Sequence, residues 1–405
     1  VGAMRNFISL ELKKIRNKNT VIISVIFFIV ILFPWFQIAQ SIDVLDDEGN
    51  IHSGIGGWKI LRERTIEGTI TSDYLLQMKQ NYQKSVDKPY IEGKVDLDRK
   101  LGKKLTFPHD SLHWELNFPY EKYRVINNSL NLTDEQLSNF YENWKGSFTQ
   151  YLSNKQNLFP YTAKQIEVIS QKMQKVPTPF LFKYDSGWEY MKIGLLNTIH
   201  LFFMFLAFIL CDGFSKNSTK GIDKVTLSTK QSRKRLISYK LGAACVFSTI
   251  AYFIYIAIVL LFVTVVYTLH GWNSSVQIGT VTFYSMNQLQ EGLLYIAIGY
   301  FSTLVITHLI LLLSVIFKRG KVVLVISLIY FYLVNTYQMG RGALITKLMI
   351  FMPQNFLNNP IGIENLYFVG NTVFPYVFVA LLLGCIYIIL ARIAISIWMR
   401  RYYLQ

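Results

Sequence analysis

Apolar runs of membrane-spanning length constrain this chain more than any other feature. Residues 21–39 read VIISVIFFIVILFPWFQIA, with no charge and a single proline. About 20 predominantly apolar residues in a helix cross the roughly 30 Å hydrocarbon core of a bilayer. Six blocks of this kind stand out: Val21–Ala39, Ile193–Cys211, Leu241–Val266, Leu293–Phe317, Val322–Tyr337 and Phe374–Trp398. The fifth is the shortest. A cleavable signal segment is the alternative for the first, but no small-residue cleavage site follows it. Only 16% of the residues are charged, against about 25% in soluble globular chains. The expected fold class is therefore an all-α polytopic membrane protein with six spans. Val1, Gly2 and Ala3 before Met4 are set aside as a cloning remnant.

Charge orients the spans. The longest polar stretch, 42–190, holds 19 basic and 20 acidic residues, which leaves 22 basic and 5 acidic elsewhere. The positive excess gathers in four clusters. They are Arg5, Lys13, Lys14, Arg16 and Lys18; the loop 212–240; Lys318, Arg319 and Lys321; and Arg400 with Arg401. With six spans all four fall on one side, which the positive-inside rule makes cytoplasmic. Arg341 and Lys347, on the other side, are a mild exception.

The expected order is an amphipathic N-terminal helix at 4–19, a first span at 20–41 and an extracytoplasmic domain at 42–190. A second span at 191–211, the basic loop 212–240 and a third span at 241–267 come next. Then come an outer loop at 268–292, a fourth span at 293–317, a short loop at 318–321 and a fifth span at 322–337. An outer loop at 338–373, a last span at 374–399 and a tail at 400–405 complete it. In the N-terminal helix Ile8, Leu12 and Ile15 share one face, widened by Phe7 and Leu10, with Lys13, Lys14 and Arg16 beside them. That pattern suits a helix lying in the membrane interface. Pro34 is expected to kink the first span.

The extracytoplasmic domain is expected to be mainly helical. Thr133 with Gln136, and Thr162 with Gln165, have capping-box spacing. Leu137, Phe140, Tyr141, Trp144, Phe148 and Leu152 then form one stripe at helical period, a core face rather than a ligand surface. A further helix is expected from Ser72 through Gln83. In 338–373 the apolar run ALITKLMIFM is too short to span and is broken by Pro353, which points to a re-entrant or interfacial helix. Cys211, Cys245 and Cys385 all fall inside expected spans and read as small apolar residues.

Residues 212–242, DGFSKNSTKGIDKVTLSTKQSRKRLISYKLG, set Lys216, Lys220, Lys224, Lys230, Arg233, Lys234, Arg235 and Lys240 against Asp212 and Asp223. A basic patch suggests nucleic acid or an acidic surface, yet a cytoplasmic loop between two spans carries such charge for topology alone. The stretch resembles the loop between the second and third spans of ABC-2 type transporter permeases, and the large domain between the first two spans resembles versions common in Gram-positive peptide and antibiotic exporters. Phe214, Gly221, Val225, Leu227, Ser228, Thr229, Arg233 and Lys240 fit that pattern, while Lys216 stands where a glutamate is usual. The basic start MRNFISLELKKIRNKN and the broken outer helix before the last span are similar to the same family.

The resemblance implies a short coupling helix docking on a separate ATPase, with Val225, Leu227 and Leu236 as apolar contacts. Val225, Leu227, Ser228, Thr229, Arg233 and Arg235 are then the coupling residues. It also implies a second permease subunit, identical or paralogous, in a bacterial plasma membrane with both termini cytoplasmic. The cargo would be peptides, antimicrobials or lipid-like amphiphiles, in antibiotic resistance or immunity. The alternative for the cations is topology and contact with anionic headgroups.

No GxxxxGK[ST] phosphate loop occurs in the chain. No enzymatic activity or cofactor is expected in it; ATP and Mg would sit on the partner subunit, and no nucleic acid is expected. His109 and His113, spaced i, i+4 with Asp110 between them, are weak metal candidates. The zinc-protease pattern needs Glu there as general base, and no clear third ligand follows. A membrane metallopeptidase is thus a minor alternative, and a sensor or immunity protein that binds an extracellular peptide is another. Polar residues inside spans are functional candidates. Asn197, His200, His308 and Asn335 are candidates for the substrate path or for interhelical hydrogen bonds, and Arg392 for a snorkelling anchor.

Overall fold

The computed structural model describes residues 2–40, 42–45, 50–77, 80, 104–106, 133–153, 161–215, 230–336 and 348–401. It is mostly helical, and five of its helices are long and apolar enough to cross a membrane. Helix α1 is Gly2–Ile15, and the first of the five is a pair, α2 (Lys18–Val30) and α3 (Leu32–Gln40). The break at Ile31 lies just before Pro34, which cannot donate to the Val30 carbonyl and crowds it. The other four are α8 (Ser186–Leu210), α9 (Lys230–Val266), α10 (Gln288–Phe317) and α12 (Tyr376–Arg401). The expected fifth span is the shorter apolar helix α11, Gly320–Thr336, of 17 residues.

Helix α9 begins well inside the expected basic loop. Its 37 residues make about 55 Å of helix at 1.5 Å per residue. The hydrocarbon layer takes up only about 30 Å. Its first turns, with Lys230, Arg233 and Arg235, therefore continue past the apolar part as one rigid rod.

Helix α8 is the hub. Met191, Leu195, Ile199, Phe202, Phe203, Leu206 and Leu210 are all buried, at the spacings that bring one helical side together. Phe202 stacks on Tyr255 of α9 at 5.0 Å, and the Thr198 and Tyr255 hydroxyls are 2.7 Å apart. In lipid such close packing and interhelical hydrogen bonding hold helices together, because hydrocarbon supplies little hydrophobic drive. Gly194 lets the Trp35 ring of α3 lie directly on α8, where a Cβ would clash. By contrast Val21, Val25, Ile26, Ile29 and Phe33 are exposed along the first span, a face that only lipid or a partner helix covers.

A second lobe is assembled from three loops. Strands β1 (Ile42–Leu45), β2 (Ile51–Ser53) and β4 (Lys104–Thr106) form a small sheet in the order β2-β1-β4, antiparallel then parallel. Helix α4 (Gly54–Arg64) follows β2, and Trp58 on it donates to the Ala39 carbonyl at 3.1 Å while packing edge-on against Tyr190 and Tyr267. Further strands are β3 (Gly68–Thr69), paired with β5 (Leu181–Phe182), and the hairpin β6 (Leu366–Val369) with β7 (Thr372–Pro375). The helices are α5 (Asp134–Ser138), α6 (Phe140–Ser153) and α7 (Ala163–Gln174), with a helical run over 72–77.

Both expected capping boxes form, Thr133 with Gln136 and Thr162 with Gln165. Leu137, Phe140, Trp144 and Leu152 are buried in a second apolar core, which also takes Ile278, Ile363 and Leu366 from later loops. Tyr161 ties those loops down: its hydroxyl donates to the Ile363 carbonyl at 2.8 Å and accepts from the Leu366 amide at 2.9 Å. Burial pushes its pKa up to about 12, so it keeps the proton that the first bond requires. The interfacial helix expected in 338–373 falls partly on 337–347, outside the described residues. The rest of that loop holds two 3-10 turns, Pro353–Asn355 and Ile363–Asn365, and the β6–β7 hairpin.

Candidate functional site

The basic loop enters and leaves the bundle at one junction. At its start, the amides of Phe214 and Ser215 donate to the Ser314 hydroxyl of α10 at 2.9 and 3.2 Å. Ser215 also donates to Asp212 at 3.2 Å, and the Asp212 carboxylate lies against Gly320, the first residue of α11. A negative charge at that end of a helix is favoured by the exposed amides there. At the far side of the loop, Lys240 of α9 donates to the Gly213 carbonyl at 2.8 Å and places its ammonium 4.9 Å over the Phe214 ring. Phe214 and Lys240, the outermost residues of the loop pattern, are therefore in contact. The loop is pinned at its root to α9, α10 and α11 together.

Helix α1 braces the same junction. Phe7 stacks on Tyr239 with ring centroids 5.1 Å apart, and Ile8 sits beside Gly242. Ile8, Leu12 and Ile15 are half-buried while Phe7 and Leu10 remain half-exposed, as an interfacial helix requires. A cavity of about 620 Å³ opens between α1, the start of α2, the end of α8 and the start of α9. Glu11, Lys14, Asn17, Asp212 and Lys240 line it.

Val225, Leu227, Ser228 and Thr229 lie outside the described residues, as do His109 and His113. Arg233 lies on the first turns of α9, and Arg235 is exposed there. The four span candidates lie on three helices, α8, α10 and α11. Asn197 is exposed on α8, and His200 is half-buried with its Nδ1 enclosed and, among the described residues, lacking a hydrogen-bond partner. Asn335 lies in the last turn of α11. His308 is buried and lines a groove with residues of α9 and α12, none from α8. Arg392 does not simply snorkel; its Nε donates to His308 Nε2 at 3.1 Å.

The opposite end of the bundle holds a charge network that sequence reasoning missed. Lys192 of α8 pairs with Glu291 of α10 and also donates to the Gln288 side-chain oxygen at 3.0 Å. Gln288 in turn donates to Asp185 at 3.0 Å, and Thr280 donates to the other Glu291 oxygen at 2.8 Å. All four of Asp185, Lys192, Gln288 and Glu291 are buried. Asp185, Lys192 and Gln288 border a cavity of about 200 Å³ that the exposed Glu189 also lines. Burial pushes the Asp185 carboxyl up to about 7; Glu189 adds to the rise and Lys192 opposes it. The only signal available beforehand was that Glu291 is one of five acids outside 42–190.

No family model, curated protein or solved structure matches the chain.

Proposed function

We propose that this chain is the membrane subunit of an ATP-driven exporter. It would work in a bacterial plasma membrane with six spans and cytoplasmic termini, α11 being the fifth span. A separate ATPase docks on the loop between α8 and α9 through Val225, Leu227, Ser228, Thr229, Arg233 and Arg235. A second permease subunit completes the path, and peptides, antimicrobials or amphiphiles move outward.

The observation that carries this reading is the junction at Phe214 and Lys240. A loop that serves only to fix topology needs charge and nothing else. This one is hydrogen-bonded at its root to the membrane helices and continues into the rod-like start of α9. A push on such a loop reaches α9, α10 and α11 together. ATP can shift the permease between states only if the docked partner binds those states differently, and a rigid joint transmits that difference.

The test is the double variant Arg233→Glu/Arg235→Glu, reconstituted with the ATPase that copurifies with the wild-type chain. The account expects normal membrane insertion and loss of permease-stimulated ATP hydrolysis. Full stimulation in the double variant refutes the docking role.

A further inference from the structure

Arg392 is an exposed cation within a membrane-spanning helix, and among the described residues it makes no ion pair. It stands seven residues before Met399, the end of the α12 span, or about 10 Å at 1.5 Å per residue. Lys192, another cation within a described span, is neutralised by Glu291. Arg392 has a neutral imidazole for a neighbour. His308 Nδ1 lies 2.7 Å from the Leu304 carbonyl, so that nitrogen carries the proton. The Nε2 lone pair is thereby left to accept from Arg392 Nε. The histidine holds the guanidinium by one edge, and among the described residues nothing else bonds its terminal amino groups or offsets its charge.

Arg392 and His308 together line a groove of about 390 Å³ between α9, α10 and α12. Val246, Ile250, Leu304 and Ile388 form its apolar walls, and Thr249 and Tyr300 add hydroxyls 3.0 Å apart. Val246 and Ile250 are exposed on the outer surface of the bundle, so the groove opens sideways to the bilayer. An uncompensated cation inside a membrane is costly, and such residues mark binding sites or pathways. Guanidinium matches phosphate through parallel N–H donors.

We propose that this groove binds one anionic phospholipid, its phosphate on Arg392 and its acyl chains along Val246, Ile250 and Ile388. His308 acts as a positioning residue. This goes beyond the exporter reading and does not depend on the ATPase. A zwitterionic lipid carries the same phosphate but brings its own ammonium against the guanidinium, so it binds less well.

The test uses the purified full chain in neutral detergent. Dioleoylphosphatidylglycerol, dioleoylphosphatidylcholine and inorganic phosphate are titrated separately, and bound lipid is counted by native mass spectrometry. One phosphatidylglycerol is expected to bind at least fivefold tighter than phosphatidylcholine, without displacement by millimolar phosphate. Arg392→Gln should weaken it about tenfold and Lys321→Gln, which removes an exposed charge elsewhere, less than twofold. Equal losses in the two variants, or displacement by inorganic phosphate, overturns the site. Should Arg392→Gln not fold, a photoactivatable phosphatidylglycerol on the wild-type chain decides the matter. Labelling on Val246, Ile250 or Ile388 supports the groove, and labelling only elsewhere refutes it. An Ile250→Cys crosslink between two copies, with no lipid retained, puts a second chain there instead and also refutes it.

Discussion

The two ends of the helical bundle are stitched by opposite chemistry. At the basic end, α9, α10 and α11 meet through Lys240 on a backbone carbonyl, Ser314 under two amides and Asp212 against a helix start. Phe214, Ser215, Lys240 and Ser314 are buried, but the bonds rest largely on backbone atoms and Asp212 is exposed. At the other end, Lys192, Glu291, Gln288 and Asp185 satisfy one another away from water. A buried, mutually satisfied network gives way only at high cost. A few hydrogen bonds to backbone can be exchanged for others. The lesson is that one end is built as a clamp and the other as a joint, and the proposed coupling through the loop at the joint would have a fixed point to work against.

The largest effect should come from the clamp. Lys192→Met strands a buried carboxylate and should cost about 3–5 kcal/mol, whereas Lys192→Met with Glu291→Leu should recover most of that loss. Thermal unfolding in detergent checks both; an unrecovered double variant would mean that the pair does more than neutralise itself. Next, Lys240→Met keeps the apolar stem and removes the charged donor, for a loss of about 1.5–3 kcal/mol. It should also uncouple ATP hydrolysis, which Lys192→Met with Glu291→Leu should leave intact. If both ends uncouple equally, the distinction between clamp and joint fails.

The third comparison is with pH. The Asp185 carboxyl, at 3.8 when unperturbed, is held near 7 by burial. The folded chain then binds a proton that the unfolded chain has already released. The stabilisation is full below about pH 4 and is lost as pH rises through about 7. The melting temperature should fall by a few degrees between pH 5 and pH 8, and Asp185→Asn should flatten that slope. The smallest effect is expected for Ser314→Ala, about 0.5–1.5 kcal/mol, read as faster amide exchange at Phe214 and Ser215.

Much of the helical frame is legible because it is written locally. Apolar runs, the two Thr–Gln capping boxes and the Leu137–Trp144 stripe each depend on residues within a few turns. The kink by Pro34 is of the same kind. The strands are not legible: β1 meets β4 across some sixty residues, each of the two being only three or four residues long. Nor is the shared lobe core, which draws Ile278, Ile363 and Leu366 from loops that read as separate connectors. The Lys192 network escapes sequence reasoning because each charge lies at the edge of an apolar block and looks like an ordinary flank. Only folding brings residues 99 positions apart together. Arg392 reads as an anchor because its partner His308 is 84 residues away.

The central claim is that the start of α9 meets an ATPase on the cytoplasmic side. It is tested most directly by a single reporter, Arg235→Cys, in a chain whose Cys211, Cys245 and Cys385 are replaced by serine. The account predicts no reaction with a membrane-impermeant maleimide in intact cells, rapid reaction after permeabilisation, and renewed protection when the copurifying ATPase is added back. Labelling in intact cells, or labelling that the ATPase leaves unchanged, contradicts it.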